Sequence, residues 1–212
     1  MGSHDNHTAG KSRIGIIGGS FDPIHNGHLS IADSARLKYS LDKIIFVPAY
    51  CPPHKSRLIL APFDHRCRMI ERAVANNQQF TISYVEARDR CPSYAGETVK
   101  ALKTDYGEQN EYYFIIGLDA LPTITDPKKS RMYPDLCYFI ATTRPGFKWE
   151  VMEQQIPISF RPYILINEMP ALSISSTDIK YRIRNNQPID TMVPVSVRDY
   201  IYDFKVYTRC FT

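Results

Sequence analysis

Residues 18–28 read Gly-Gly-Ser-Phe-Asp-Pro-Ile-His-Asn-Gly-His. The stretch joins two adjacent glycines, a serine, an Asp-Pro turn and two histidines three positions apart. Gly18 and Gly19 allow the backbone to curl and a ligand to approach it closely. Histidines spaced as His25 and His28 share one face if both lie in a first helical turn. There the exposed amides of a helix N-terminus favour an anion, and imidazole N–H groups donate to phosphate oxygens. The chemistry indicated is therefore recognition of a phosphate. Neither common phosphate fingerprint is present: Gly15, Gly18 and Gly19 have the wrong spacing for GxGxxG, and no Gly-Lys-Ser/Thr follows the turn. A tight turn carrying two surface histidines is the plain structural alternative. A second cluster, Ser175-Ser176-Thr177 with Lys180, has the composition of a helix cap that can also present amides and hydroxyls to an anion.

These residues need a frame. Apolar, β-branched runs at 13–18, 43–48, 79–86, 111–116, 136–142 and 163–166 read as strands. Helical patterns fall at 27–39, 63–77, 96–106, 177–185 and 196–204. Short apolar strands alternating with helices predict an α/β fold, a Rossmann-like doubly wound, mainly parallel sheet with helices on both faces. In such a sheet, ligands sit beyond the carboxyl ends of the strands, which puts the turn after the first strand at a binding position. Residues 121–134, with Pro122, Pro127 and Pro134 around Lys128, Lys129 and Arg131, read as a surface loop.

Composition narrows the class. With 212 residues, 43% of them hydrophobic and 12% aromatic, the chain suits one domain with an ample core. Residues 13–212 are read as that domain and the polar residues 1–12 as a flexible leader. Net charge is +4, from 26 basic and 22 acidic residues. That excess fits anionic small molecules and lacks the basic stripe with stacking aromatics that single-stranded nucleic acid requires. No apolar run approaches the roughly 18–20 residues that span a bilayer, so no membrane partner is expected. Five scattered cysteines, an odd number, argue against a disulfide framework and for a reducing cytoplasm. Cys51-x-x-His54 and His65-x-Cys67 are too irregular for a structural zinc site.

The string Gly-Gly-Ser-Phe-Asp-Pro-Ile-His-Asn-Gly-His-Leu at 18–29 resembles the signature of the nucleotidyltransferase superfamily, whose core is His-x-Gly-His. Its form is similar to the branch that makes dinucleotides from nicotinate or nicotinamide mononucleotide. Further segments resemble that branch in order: Pro52-Pro53-His54-Lys55, Asp64-His65-Arg66-Cys67, Pro92-Ser93-Tyr94-Ala95-Gly96-Glu97-Thr98, Ile116-Gly117-Leu118-Asp119, Thr143-Arg144-Pro145-Gly146, Ile174-Ser175-Ser176-Thr177-Asp178-Ile179-Lys180 and Val193-Pro194. The resemblance covers residues 13–207 and is to the bacterial nicotinate-nucleotide adenylyltransferase family. Two departures stand out. Lys180 occupies a position usually held by arginine, which replaces a bidentate fork with a point charge. The tryptophan usual in the family after the fourth-strand aspartate is absent from 120–127, and the single tryptophan is Trp149.

The resemblance implies adenylyl transfer from ATP, accompanied by Mg²⁺, to nicotinate mononucleotide, giving deamido-NAD and pyrophosphate. It implies that His28 and His25 face the phosphates undergoing transfer. ATP contacts fall to Gly19, Ser20, Phe21, Gly117, Asp119, Ser175, Ser176, Thr177 and Lys180. Asp22, Lys55, Thr98 and Arg144 fall on the pyridine-nucleotide side. A nicotinamide-preferring enzyme, a related pantetheine-phosphate or cytidylyl transferase and a non-catalytic nucleotide-binding protein are the alternatives. Monomer and homodimer remain equally open.

Overall fold

The computed structural model describes residues 11–51, 61–88, 94–143, 149–170 and 174–208. Strands β1 (Arg13–Gly19), β2 (Lys43–Pro48), β3 (Phe80–Ile82), β4 (Glu111–Gly117), β5 (Tyr138–Thr143) and β6 (Ile164–Glu168) form one sheet in the order β3-β2-β1-β4-β5-β6. All five pairings are parallel. The helices are α1 (Asn26–Lys38), α2 (Phe63–Val74), α3 (Ala95–Tyr106), α4 (Leu121–Ile124), α5 (Pro127–Ser130), α6 (Trp149–Glu153), α7 (Ser176–Arg184) and α8 (Val195–Asp203). The doubly wound α/β fold expected from the alternating pattern is the fold observed.

Both faces of the sheet are covered. Along β4, Tyr113 and Ile115 enter one apolar cluster, shared with Ala32, Met69, Ile179 and Ile201 of α1, α2, α7 and α8. Tyr112 and Phe114 enter the other, shared with Val99 and Leu102 of α3 and with Phe160. Alternate residues thus point to opposite cores, which is why the strands read as continuous apolar runs. Strand order reverses between β1 and β4. Ile16 pairs with Phe114, and each strand then runs on to its glycine end, Gly19 and Gly117. The crevice of a doubly wound sheet lies at that switch.

Two elements differ from the sequence reading. The strand expected at 79–86 ends at Ile82, and Val85–Ala87 curl into a 3₁₀ turn. That turn is held because Glu86 reaches back to accept from the Tyr50 amide at 3.2 Å and the Thr98 hydroxyl at 2.7 Å. The loop expected at 121–134 is instead α4 and α5, anchored by the buried Leu121 and Met132. Inside it, Thr125 donates to the Leu121 carbonyl at 2.8 Å and Ser130 to the Ile124 carbonyl at 2.6 Å. The Ser130 hydroxyl satisfies the Ile124 carbonyl, which loses an amide donor because Pro127 has no N–H and the Lys128 amide turns to Asp126.

This segment docks on α3 at Gly96, where an added Cβ would lie 1.9 Å from the Arg131 carbonyl oxygen. Backbone cannot yield as a side-chain tip would, so Gly96→Ala must separate α3 from the segment. The expected cost is about 1–3 kcal/mol, read as a lowered midpoint in urea unfolding with an unchanged slope.

Candidate active site

The turn after β1 reverses sharply. Phe21 adopts φ +47°, a left-handed conformation that costs a non-glycine residue about 1 kcal/mol. Burial offsets that cost: Phe21 is 1% exposed and packs edge-on against Phe46. The reversal folds its ring back under Gly19, where a Cβ would sit 3.3 Å from the ring. The outer edge of the same ring meets His28, centroid to centroid at 5.1 Å.

His25 is the N-cap of α1 and His28 lies in its first turn. Their rings stack at 3.7 Å with planes 23° apart. Gly27 makes this possible, because a Cβ there would lie 3.0 Å from His25 Nδ1. The His25 amide donates to His28 Nδ1 at 3.2 Å. An accepting Nδ1 carries no proton, so the neutral His28 ring bears its proton on Nε2, as a donor. His25 is 7% exposed, and its Nδ1 is buried without a hydrogen-bond partner among the described residues. Burial pushes the His25 ring down to about 4 from the ordinary 6.5. It is neutral at pH 7 and so adds no repulsion to a charge developing on the ring stacked against it.

A second helix N-terminus joins the first. Ser176 donates to the Pro23 carbonyl at 2.9 Å, and a Cβ on Gly27 would touch Ile174 at 3.9 Å. The first turns of α1 and α7 therefore lie against one loop, and both positive dipole ends face the same region. Ser175 caps α7, its Oγ accepting from the Asp178 amide at 3.1 Å, and retains its own O–H for donation. Thr177 is exposed. Gly117 and Asp119, both exposed, stand at the end of β4 beside the turn.

Beneath the turn lies a set of charged groups. Arg66 is 2% exposed and donates to the carbonyls of Ser20 at 2.7 Å, Ala49 at 2.9 Å and Ala61 at 3.1 Å. Burial pulls the guanidinium below its ordinary value, and the nearby Asp22 charge opposes that. Asp22 is 1% exposed. Its Oδ2 accepts from Lys180 at 2.6 Å, and its Oδ1 accepts from the Ala61 amide at 3.0 Å and from the Tyr207 hydroxyl at 2.9 Å.

Comparison with known proteins places the chain in a family. The cytidylyltransferase-like family model matches residues 16–182. A protein of Moorella thermoacetica named a probable nicotinate-nucleotide adenylyltransferase is 41% identical over 198 residues, covering 92% of this chain and 91% of its own. One of Desulfitobacterium hafniense with the same name is 41% identical over 207 residues, covering 95% and 99%. The chain belongs to the nicotinate-nucleotide adenylyltransferase family. A solved structure of Plasmodium falciparum nicotinic acid mononucleotide adenylyltransferase shares the fold, with a TM-score of 0.72 at 22% identity over 92% of this chain and 97% of that one.

Within this adenylyltransferase framework, the expected residues divide. His25, His28, Gly19, Ser20, Phe21, Ser175, Ser176 and Thr177 gather around the β1–α1 turn, with Gly117 and Asp119 at the neighbouring strand end. Asp22, expected on the pyridine-nucleotide side, lies buried under the turn, with both oxygens engaged by protein donors. Lys180, expected among the ATP contacts, forms an ion pair with it. Thr98 is buried, its hydroxyl donating to Glu86 and to the Tyr94 carbonyl. Lys55 and Arg144 lie outside the described residues. Cys67 is a core side chain whose thiol burial pushes up to about 12.

Arg66 and Tyr207 received no role from the sequence. Arg66 carried a signal, a cation on the apolar face of α2 in line with Ile70 and Val74. Tyr207 carried none.

The buried His25 gives a pH prediction. Its folded value, about 4, lies below the ordinary 6.5, so the unfolded chain binds more protons between the two. Stability should therefore fall as pH drops from 6.5 to 4, by up to about 3 kcal/mol. A His25→Phe chain should lack that slope in pH-dependent urea unfolding. An NMR titration of the parent should place His25 near 4; a midpoint near 6.5 would mean a solvated ring.

Proposed function

We propose that this chain transfers the adenylyl group of ATP to nicotinate mononucleotide, releasing pyrophosphate and giving deamido-NAD. Support comes from family membership and from the names of its relatives. The structural observation that carries the reading is the meeting of two helix N-termini at His28. A polyphosphate is the ligand such a cluster of amides and imidazoles suits.

The 5′-phosphate oxygen of the mononucleotide attacks the α-phosphorus of ATP. The new P–O bond forms as the bond to the β-phosphate bridging oxygen breaks, and the electron pair leaves with pyrophosphate. The attacking oxygen is already anionic, so no side chain has to remove a proton. The protein's task is alignment and stabilisation of charge on the α-phosphoryl oxygens. His28 Nε2–H is the donor to those oxygens. The Phe21 edge and the His25 face fix the ring's plane in advance, so little reorganisation accompanies transfer.

Amides at the start of α7 and the Ser175 and Thr177 hydroxyls hold the β- and γ-phosphates, with Lys180 near them. Gly19, Ser20 and Phe21 supply backbone surface to the nucleotide, and Asp119 accepts from a ribose hydroxyl. Thr98 is assigned to the pyridine side on the resemblance, as are Lys55 and Arg144. ATP enters as its Mg²⁺ complex, the metal carried by phosphate oxygens and water.

Pyrophosphate release from ATP tests this reading, with nicotinate and nicotinamide mononucleotides as separate acceptors. Release should be faster with the acid. Equal rates would remove the acid preference, and release with neither would leave a nucleotide-binding protein. His28→Ala should lower kcat by about 10²–10³-fold without altering the unfolding midpoint. Near-parent turnover in that variant would overturn the role given to His28.

A further inference from the structure

The two basic residues beneath the turn are held differently. Arg66 meets three carbonyl oxygens and has a structural task. Lys180 has one hydrogen-bond partner among the described residues, Asp22 Oδ2, and its side chain keeps 14% exposure. An ammonium has three donors, so two remain for an incoming ligand. Lys180 lies one helical turn beyond Ser176, which is bound to the β1–α1 loop. Its position relative to that loop is set by Asp22, which is rigid for a stated reason: the Ala61 amide and the Tyr207 hydroxyl both donate to Oδ1. Ala61 N–H belongs to the backbone. Tyr207 is the side chain that completes the set, and it sits 5% exposed past the end of α8, at φ +76°. Burial and the adjacent carboxylate hold its phenol well above the ordinary value, so it stays a donor across the neutral range.

We infer that Tyr207 is a positioning residue for the phosphate site, acting through Asp22 on the Lys180 ammonium. With the hydroxyl in place, the charge of Asp22 is divided among three donors and the carboxylate plane is fixed. Lys180 is then aimed but loosely enough held to bind phosphate. Without the hydroxyl, the carboxylate recovers charge density and freedom to rotate, and it competes with ATP for the ammonium. The consequence falls on ATP and not on the second nucleotide. This inference rests on reading the site as one for ATP.

The test is Tyr207→Phe, which keeps the ring and removes the donor, measured in the parent and in a Lys180→Ala background. Tyr207→Phe should raise the KM for ATP fivefold or more and leave the KM for nicotinate mononucleotide within twofold. In the Lys180→Ala background the same change should move the KM for ATP less than twofold. A role in packing alone would lower the unfolding midpoint and act equally in both backgrounds, and that outcome would overturn the inference. So would an unchanged KM for ATP. Should Tyr207→Phe fail to fold, it is made in an Asp22→Asn background instead, where the carboxylate charge is gone: there it should move the KM for ATP less than twofold relative to Asp22→Asn alone, and a larger rise would overturn the inference. A parent chain that releases no pyrophosphate with either acceptor refutes the functional reading instead. Loss of the Tyr207 effect in an active parent refutes only the inference.

Discussion

A single buried carboxylate, Asp22, is the constraint around which the site is built. Taking an ionised group out of water costs several kcal/mol unless donors replace its solvation. Asp22 receives three, from α7, from Ala61 just ahead of the α2 N-cap and from the segment after α8. Each donor satisfies the carboxylate and is in turn fixed by it. The β1–α1 turn that carries Asp22 is thereby tied to regions 39, 158 and 185 residues away in sequence. Arg66 fastens the same turn from below through the Ser20 carbonyl and joins it to Ala49 beyond β2. One negative and two positive groups replace the water that an irregular buried loop would otherwise need for its backbone.

On this foundation the histidine pair becomes comprehensible as a unit. His25 is kept neutral by burial, and His28 is oriented by three contacts: a backbone amide at Nδ1, a stacked ring on one face and the Phe21 ring at its edge. The cap of α1 and the His28 ring are one arrangement. Gly27 between them is required for volume, since any side chain there would push His25 off its neighbour.

Much of this was legible in the sequence, and the parts that were not share a cause. Strand period, helix period and the positions of the turn motifs are local properties, and β1, β2, α1 and α3 appear within a residue of their expected limits. The clustering of His25, His28 and 175–177 was likewise signalled by short motifs. Segment 121–134 was misread because proline and lysine content suggested a loop, while Leu121, Thr125 and Met132 supplied an anchor visible only in three dimensions. The surroundings of Asp22 were hidden for a related reason: nothing local to the turn signals that Lys180 and Tyr207 meet it from the far end of the chain.

That distance has a consequence for how the protein comes to be active. Long-range pairings close late, after the entropy of the intervening loops has been overcome. During synthesis, the His-x-Gly-His turn leaves the ribosome early, but its carboxylate waits for residues 180 and 207. A nascent or nicked chain lacking the segment after α8 holds the motifs of the β1–α1 turn and of α7, and its Asp22 is one donor short. Order in the β1–α1 turn thus depends on residues from both ends of the chain.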